Sequence, residues 1–257
     1  MGLKDYYDGP FTVGLADRIG RFYPQLDQEG FLSYVVPQLD GKEYTQRMGV
    51  FVRAFDRYLP PYPDTLGIFS AMLAGEPELK SFAVMYSDGA WLAPVGKYVE
   101  AHCGADETYF QKSVDLIREL TTRYTGEFAM RALVQAFPDR GMAVLLAWSR
   151  SENPYVRRCA SECMRVRLPW ARKMTAAVER FDSYCRVLDN LKNDPNPYVQ
   201  RSVGNNLNDL YKHDEQKARA IMERWQSESP PETTLRIVRH GMRTARKVQR
   251  RARGRDA

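Results

Sequence analysis

The 257-residue sequence predicts an all-α fold, a HEAT-like helical-repeat solenoid with a concave face. Three observations predict it. Apolar residues recur three and four positions apart, while few runs alternate with period two. An eight-residue string recurs at a 43-residue offset. Positive charge is concentrated at one end of the chain.

The periodicity can be followed in order. Residues 12–58 read as helical segments, with Phe31, Tyr34, Val35 and Leu39 on one face. Leu59-Pro-Pro-Tyr-Pro63 is a break, because proline lacks the amide hydrogen a helix interior needs. Residues 64–100 carry shorter amphipathic segments, interrupted at Gly75-Glu-Pro77 and Ser87-Asp-Gly89. The pattern then predicts helices over 106–123, 126–136, 139–151, 155–166, 171–192, 198–212, 214–227 and 231–250. One domain is expected over 1–257, with an N-terminal helical cap at 1–100, core repeats at 101–250 and a basic tail at 251–257.

The repeat gives the architecture. Asn153-Pro-Tyr-Val-Arg-Arg-Cys-Ala returns as Asn196-Pro-Tyr-Val-Gln-Arg-Ser-Val. A 43-residue period fits a two-helix HEAT-type unit, and such units stack into an extended concave surface. Pro154 and Pro197 suit the first turn of the second helix. Val156, Cys159, Ala160 and Cys163 share one side of that helix. Val199, Val203, Asn206, Leu207 and Leu210 share roughly that side in the next unit. The neighbouring stripe is polar in both: Arg158, Glu162 and Arg165, then Arg201, Asn205, Asn208 and Asp209. By spacing alone this stripe is a surface ion-pair network, or a site where carboxylates face a cation and arginines face phosphates.

Charge narrows the partners. The net charge is +6, yet residues 236–257 hold nine Lys/Arg against one acid. The other 235 residues carry 29 basic and 31 acidic groups. A local basic block suits nucleic-acid phosphates, and a solvated tail is the alternative. Arg239, Arg243, Arg246 and Arg250 follow a 4-3-4 spacing that would place them on one helix face. No apolar stretch approaches the roughly 20 residues of a membrane span, so no membrane partner is expected. The four cysteines, Cys103, Cys159, Cys163 and Cys185, read as reduced thiols, with core packing preferred to a metal site. Trp148 and Trp225 read as core residues, and His240 as a structural or phosphate-contact residue.

Four stretches carry a resemblance: Thr125-Gly-Glu-Phe-Ala-Met-Arg131, Tyr155 to Trp170, Tyr198 to Asp209, and Arg239-His-Gly-Met-Arg-Thr-Ala-Arg-Lys247. In these the sequence resembles the AlkC branch of the HEAT-like-repeat DNA glycosylases, the AlkC/AlkD superfamily. The resemblance covers residues 100–250 well and the N-terminal part loosely. It implies excision of cationic N-alkylated bases, such as 3-methyladenine and 3-methylcytosine, from double-stranded DNA. It implies no cofactor or metal, a monomer, and a cytoplasmic, bacterial protein associated with the nucleoid when bound to DNA. Some members carry a C-terminal immunoglobulin-like domain, which is not expected here. The family's acidic motif positions fall on Glu127, Glu162 and Asp209, which become the expected catalytic residues. Arg158, Arg165, Trp170, Arg201, Arg239, Arg243, Arg246 and Lys247 become the expected DNA contacts. Arg131, four residues after Glu127, can pair with it.

The sequence departs from the motifs at four points. A serine is Gly126, a glycine is Cys163, a proline is Val166 and an alanine is Gly204. These departures are expected in or beside the cleft, where they would alter substrate range. They also keep open a non-catalytic protein that binds damaged or branched DNA. A HEAT scaffold for a protein partner is a third reading.

Overall fold

The computed structural model describes residues 2–247, apart from the side chain of Tyr86. The basic tail at 251–257 and Arg250 lie outside the described residues. Among the described residues there is no strand, and the chain folds as α-helices joined by short turns. None of these helices is long and apolar enough to cross a membrane. Two compact units are present, one over Met1–Leu133 and one from Val134 onward.

The first unit contains α1 (Gly9–Gly20), α2 (Gln28–Val35), α3 (Tyr44–Tyr58), α4 (Tyr62–Ala74), α5 (Met85–Asp88), α6 (Ala93–His102) and α7 (Phe110–Arg123). Asp8 and Asp27 cap α1 and α2 by accepting from Phe11 N and Gly30 N, each at 2.9 Å. The expected proline break falls between α3 and α4. Helix α3 packs on α6, and α4 on α7. Their shared core is aromatic: the Phe31 and Phe55 rings lie 6.1 Å apart, Phe55 and Phe69 5.4 Å, and Phe69 and Tyr98 5.7 Å. Edge-to-face ring pairs add about 0.5–1.5 kcal/mol each beyond area burial.

Helix α8 (Glu127–Ala136) runs from the first unit into the second. The second unit continues with α9 (Pro138–Trp148), α10 (Pro154–Glu162), α11 (Ala176–Glu179), α12 (Phe181–Leu191), α13 (Pro197–His213), α14 (Glu215–Ser227) and α15 (Glu232–Gly241). The sequence repeat is a structural repeat. Asn153 caps α10 by accepting from Tyr155 N at 2.9 Å, and Asn196 caps α13 by accepting from Tyr198 N at 2.9 Å. First helices pack together, α9 on α12. Second helices do the same, α10 on α13 and α13 on α15. The layer of second helices carries most of the polar residues singled out in the sequence. Trp148 and Trp225 are both buried, and the Trp225 indole donates to Asp189 at 2.6 Å.

Three helix boundaries differ from expectation, each for a local reason. Helix α10 ends at Glu162, and residues 163–175 form an irregular segment rather than helix. Pro169 removes an amide donor there, and Met174 N bonds back to Val166 O at 3.2 Å. The expected helix over 171–192 is divided into α11 and α12 at Arg180, whose backbone (φ −98°, ψ 55°) leaves the helical region. The expected helix over 231–250 is interrupted at Met242 and resumes over 243–247. Arg239 therefore does not share one continuous helix with Arg243 and Arg246.

Candidate functional site

The centre of the second unit is a buried ion triad. Glu162 ends α10, Arg165 lies just beyond it, and Asp209 sits in the C-terminal half of α13. Arg165 Nη1 donates to Glu162 Oε1 at 2.6 Å, and its Nε donates to Asp209 Oδ2 at 2.8 Å. Glu162 and Arg165 are each 7% exposed and Asp209 is 3% exposed. Such a triad is tolerated only if most of its hydrogen-bonding capacity is met. Ser202 Oγ supplies one further bond, donating to Glu162 Oε2 at 2.5 Å. Both Glu162 oxygens are thus engaged. Among the described residues Asp209 Oδ1 carries no hydrogen bond. Burial disfavours the Arg165 charge, but the two carboxylates outweigh it and hold its pKa above the ordinary arginine value.

The helix α13 motif divides its residues between scaffold and site. Asn206 accepts from Tyr184 OH at 2.5 Å and donates to Ser161 O at 2.7 Å, which ties α12, α13 and α10 together. Leu207 is core. Asn208 donates to Gly241 O at 2.8 Å and to Thr244 Oγ1 at 2.9 Å, anchoring α13 to the end of α15. These bonds fix the height and rotation of Asp209. Ser202 and Thr244 were missed by reading the sequence, whereas Asn208 was read as part of the polar stripe. The signal for Ser202 was its position two turns before Asp209 on the same helix face.

Arg165, expected at a phosphate, is enclosed between two carboxylates instead. Its guanidinium is used to hold acids together, because burial leaves no cheaper partner for either sign. The other expected contacts are more open. Arg158 is half-buried on α10. Arg201 is exposed on α13 and stands 5.7 Å over the Tyr198 ring. Arg239, Arg246 and Lys247 are exposed, Arg239 pairs with Glu232, and Arg246 donates to Arg239 O. Arg243 is half-buried and donates to His240 O at 2.9 Å and Asn205 Oδ1 at 3.0 Å.

Trp170 is 87% exposed and adopts φ 62°. A left-handed backbone is costly for a bulky residue, and an exposed indole gains no packing in return. A core role for this tryptophan is therefore excluded. In the first unit, Glu127 opens α8 and is 3% exposed.

The four motif departures are closely packed, beside the residues singled out for the site. Cys163 and Val166 are fully buried in the core. Gly126 and Gly204 are sites of close approach. A Cβ on Gly126 would lie 2.1 Å from Thr121 Oγ1, and one on Gly204 would lie 2.6 Å from His240 Cδ2. No group of His, Cys, Asp and Glu among the described residues is arranged to hold a metal ion.

This arrangement can be set beside known proteins. The family model described as DNA alkylation repair enzyme matches residues 107–244, which is more than half of the chain. The chain belongs to the DNA alkylation repair enzyme family. All of the buried triad lies within the matched residues, as does Glu127. The solved structure of Pseudomonas fluorescens alkylpurine DNA glycosylase AlkC, bound to DNA containing an abasic site analog, is similar with a TM-score of 0.79. It is 29% identical, over 95% of this chain and 64% of that chain. Protein YhaZ of Bacillus subtilis (strain 168), itself uncharacterized, is 29% identical over 247 residues. That match covers 94% of this chain and 64% of YhaZ. The chain thus spans less than two thirds of the length of these two relatives. The family match and the likeness to AlkC agree with the expected AlkC-like branch and its helical-repeat fold.

Proposed function

We propose that this chain is a monomeric, cytoplasmic DNA glycosylase that excises cationic N-alkylated bases, of the 3-methyladenine and 3-methylcytosine type, from double-stranded DNA. The observation that carries the reading is the buried carboxylate pair on the second-helix layer, with one oxygen of Asp209 left unengaged among the described residues. Pure phosphate binding gives no reason to bury two acids among arginines. Family membership and the DNA-bound AlkC neighbour support the same reading.

The chemistry needs little beyond negative charge and water. An N-alkylated base is already cationic and departs neutral, taking the bonding electron pair with it. The deoxyribose is left with oxocarbenium character, and water adds at its anomeric carbon. Asp209 Oδ1 is the carboxylate oxygen that stabilises the developing positive charge and takes the proton of the attacking water. Glu162, locked by Arg165 and Ser202, adds negative potential from behind. Glu127 is the third acid, assigned from its motif position. Arg158, Arg201, Arg239, Arg243, Arg246 and Lys247 hold phosphates, which positions the duplex without reading sequence. Trp170 stacks on an exposed base or sugar.

The test is release of 3-methyladenine from alkylated duplex DNA by the purified chain. Asp209→Asn is expected to abolish release while DNA binding persists. Failure of the unaltered chain to release any base would sink the activity. Undiminished release after Asp209→Asn together with Glu162→Gln would sink the mechanism. A second reading follows from one observation, that Arg165 and Ser202 together engage both oxygens of Glu162, as in a structural ion pair. On that reading the chain binds damaged or branched DNA without cleavage, and the same assay returns salt-sensitive binding with no free base.

A further inference from the structure

His240 lies directly over Gly204, with its side chain occupying the space where a Cβ would stand. The same alanine-to-glycine departure therefore admits the imidazole. Its Nε2 is 2.9 Å from Asn205 Oδ1, and Arg243 Nη2 donates to that same oxygen at 3.0 Å. Arginine has only donors, so the shared atom is the amide oxygen and His240 Nε2 must carry hydrogen. Two donors converge on one end of Asn205. The other end, Nδ2, makes no hydrogen bond among the described residues. Asn205 is half-buried, one helical turn after exposed Arg201. It also occupies the position that Glu162 holds in the preceding repeat.

We propose that Asn205 Nδ2 grips a DNA phosphate oxygen, and that His240 is the positioning residue that aims it. The proposal rests on the DNA-binding part of the function given above. Beside this amide, Arg243, Arg201, Arg165 and Arg246 act on His240, and Asp209, one turn after Asn205, is the acid that acts on Arg243. A free amide donor amid a surplus of cations suits a ligand that only accepts, and a phosphodiester is such a ligand. Base edges and hydroxyls present donors as well as acceptors, so they match such a cluster less fully than a phosphate does.

The charge state of His240 supports this geometry. Burial, then Arg243, Arg201, Arg165 and Arg246, lower its pKa below the ordinary histidine value of 6.5. It is neutral near pH 7, a directed donor rather than another mobile charge. A phosphate arriving among these arginines offsets their repulsion and raises the proton affinity of the ring. DNA binding then takes up a proton, and affinity rises as pH falls through the window between the DNA-bound and the free values of His240.

The experiment measures binding of a duplex with an abasic-site analog by fluorescence anisotropy at fixed salt, with thermal unfolding of each variant alongside. Asn205→Ala is expected to weaken binding about tenfold, the size of one hydrogen bond to a charged group. His240→Ala is expected to cost about the same. The double variant is expected to be no weaker than Asn205→Ala alone. His240→Gln keeps a donor and is expected to restore binding to within about twofold, while flattening the pH dependence. If His240→Ala does not fold, the Asn205→Ala and His240→Gln pair still decides. Additive losses, or wild-type binding by Asn205→Ala, would overturn the proposal. A wild-type chain that binds no DNA would overturn the functional reading as well. Tight wild-type binding with unaffected variants overturns this assignment alone.

Discussion

Arg165 Nε lies 2.8 Å from Asp209 Oδ2, joining two residues 44 positions apart across consecutive repeats. The same guanidinium reaches Glu162 at 2.6 Å. One buried cation therefore holds both proposed catalytic acids. Arg165→Ala is expected to cost about 3–5 kcal/mol, because it leaves two buried carboxylates without a counter-charge. Denaturant unfolding would show a lower midpoint. A loss within about 0.5 kcal/mol would mean that the triad is far more hydrated than its burial implies.

Gly126→Ser would restore the residue usual in the family motif. It is nonetheless expected to destabilise. The new Cβ would meet Thr121 Oγ1 at 2.1 Å and Ile117 O at 2.7 Å. Thr121 Oγ1 is itself held, donating to Ile117 O at 2.7 Å. Overpacking of this kind costs about 1–3 kcal/mol. Adding Thr121→Ala should recover part of the loss, since the Ile117 carbonyl remains in place. An unchanged unfolding midpoint for Gly126→Ser would show that α7 yields easily.

His240 gives stability a pH dependence whose sign can be worked out. Its pKa is lowered on folding, first by burial and then by the neighbouring arginines. The unfolded chain then binds more protons between the folded value and 6.5. Stability is fully present above that window and is lost as pH falls through it. His240→Gln should flatten this part of the curve. Unfolding midpoints measured from about pH 7.5 to about 5 check it, and equal slopes for both proteins would rule out a His240 contribution.

Much of this was legible in the sequence, and the reasons differ by element. The Asn-Pro caps of α10 and α13 were visible because capping is local: a side chain accepts from an amide two residues on. The acids were visible through a resemblance, not through their environment. Their pairing was one of two readings of the polar stripe, but its burial was not legible, because a stripe of mixed charge on a helix wheel looks the same whether it faces water or a neighbouring helix. The kink at Met242 was hidden for a similar reason. The spacing of Arg239, Arg243 and Arg246 assumes an unbroken helix, whereas the anchoring of Gly241 O by Asn208 is a tertiary contact. Gly204 looked like a departure near the cleft, and its meaning required knowing that His240 lies over it.

Trp170 separates stability from binding. It combines φ 62° with 87% exposure, so its side chain contributes little to the core while its backbone stores strain. Trp170→Ala removes the ring but keeps the strained backbone, and its unfolding midpoint should stay within about 0.5 kcal/mol of wild type. Trp170→Gly relieves the strain, which offsets the extra freedom of glycine in the unfolded chain, so it should be no less stable than the alanine variant. Both should bind duplex DNA with an abasic-site analog more weakly, by about 1–3 kcal/mol if the indole stacks on a base or sugar. This loss should depend little on salt, unlike the loss on removing a phosphate-binding arginine such as Arg201. Anisotropy titrations at two salt concentrations distinguish the two. A Trp170→Ala protein that melts early but binds DNA like wild type would transfer this residue from the interface to the scaffold.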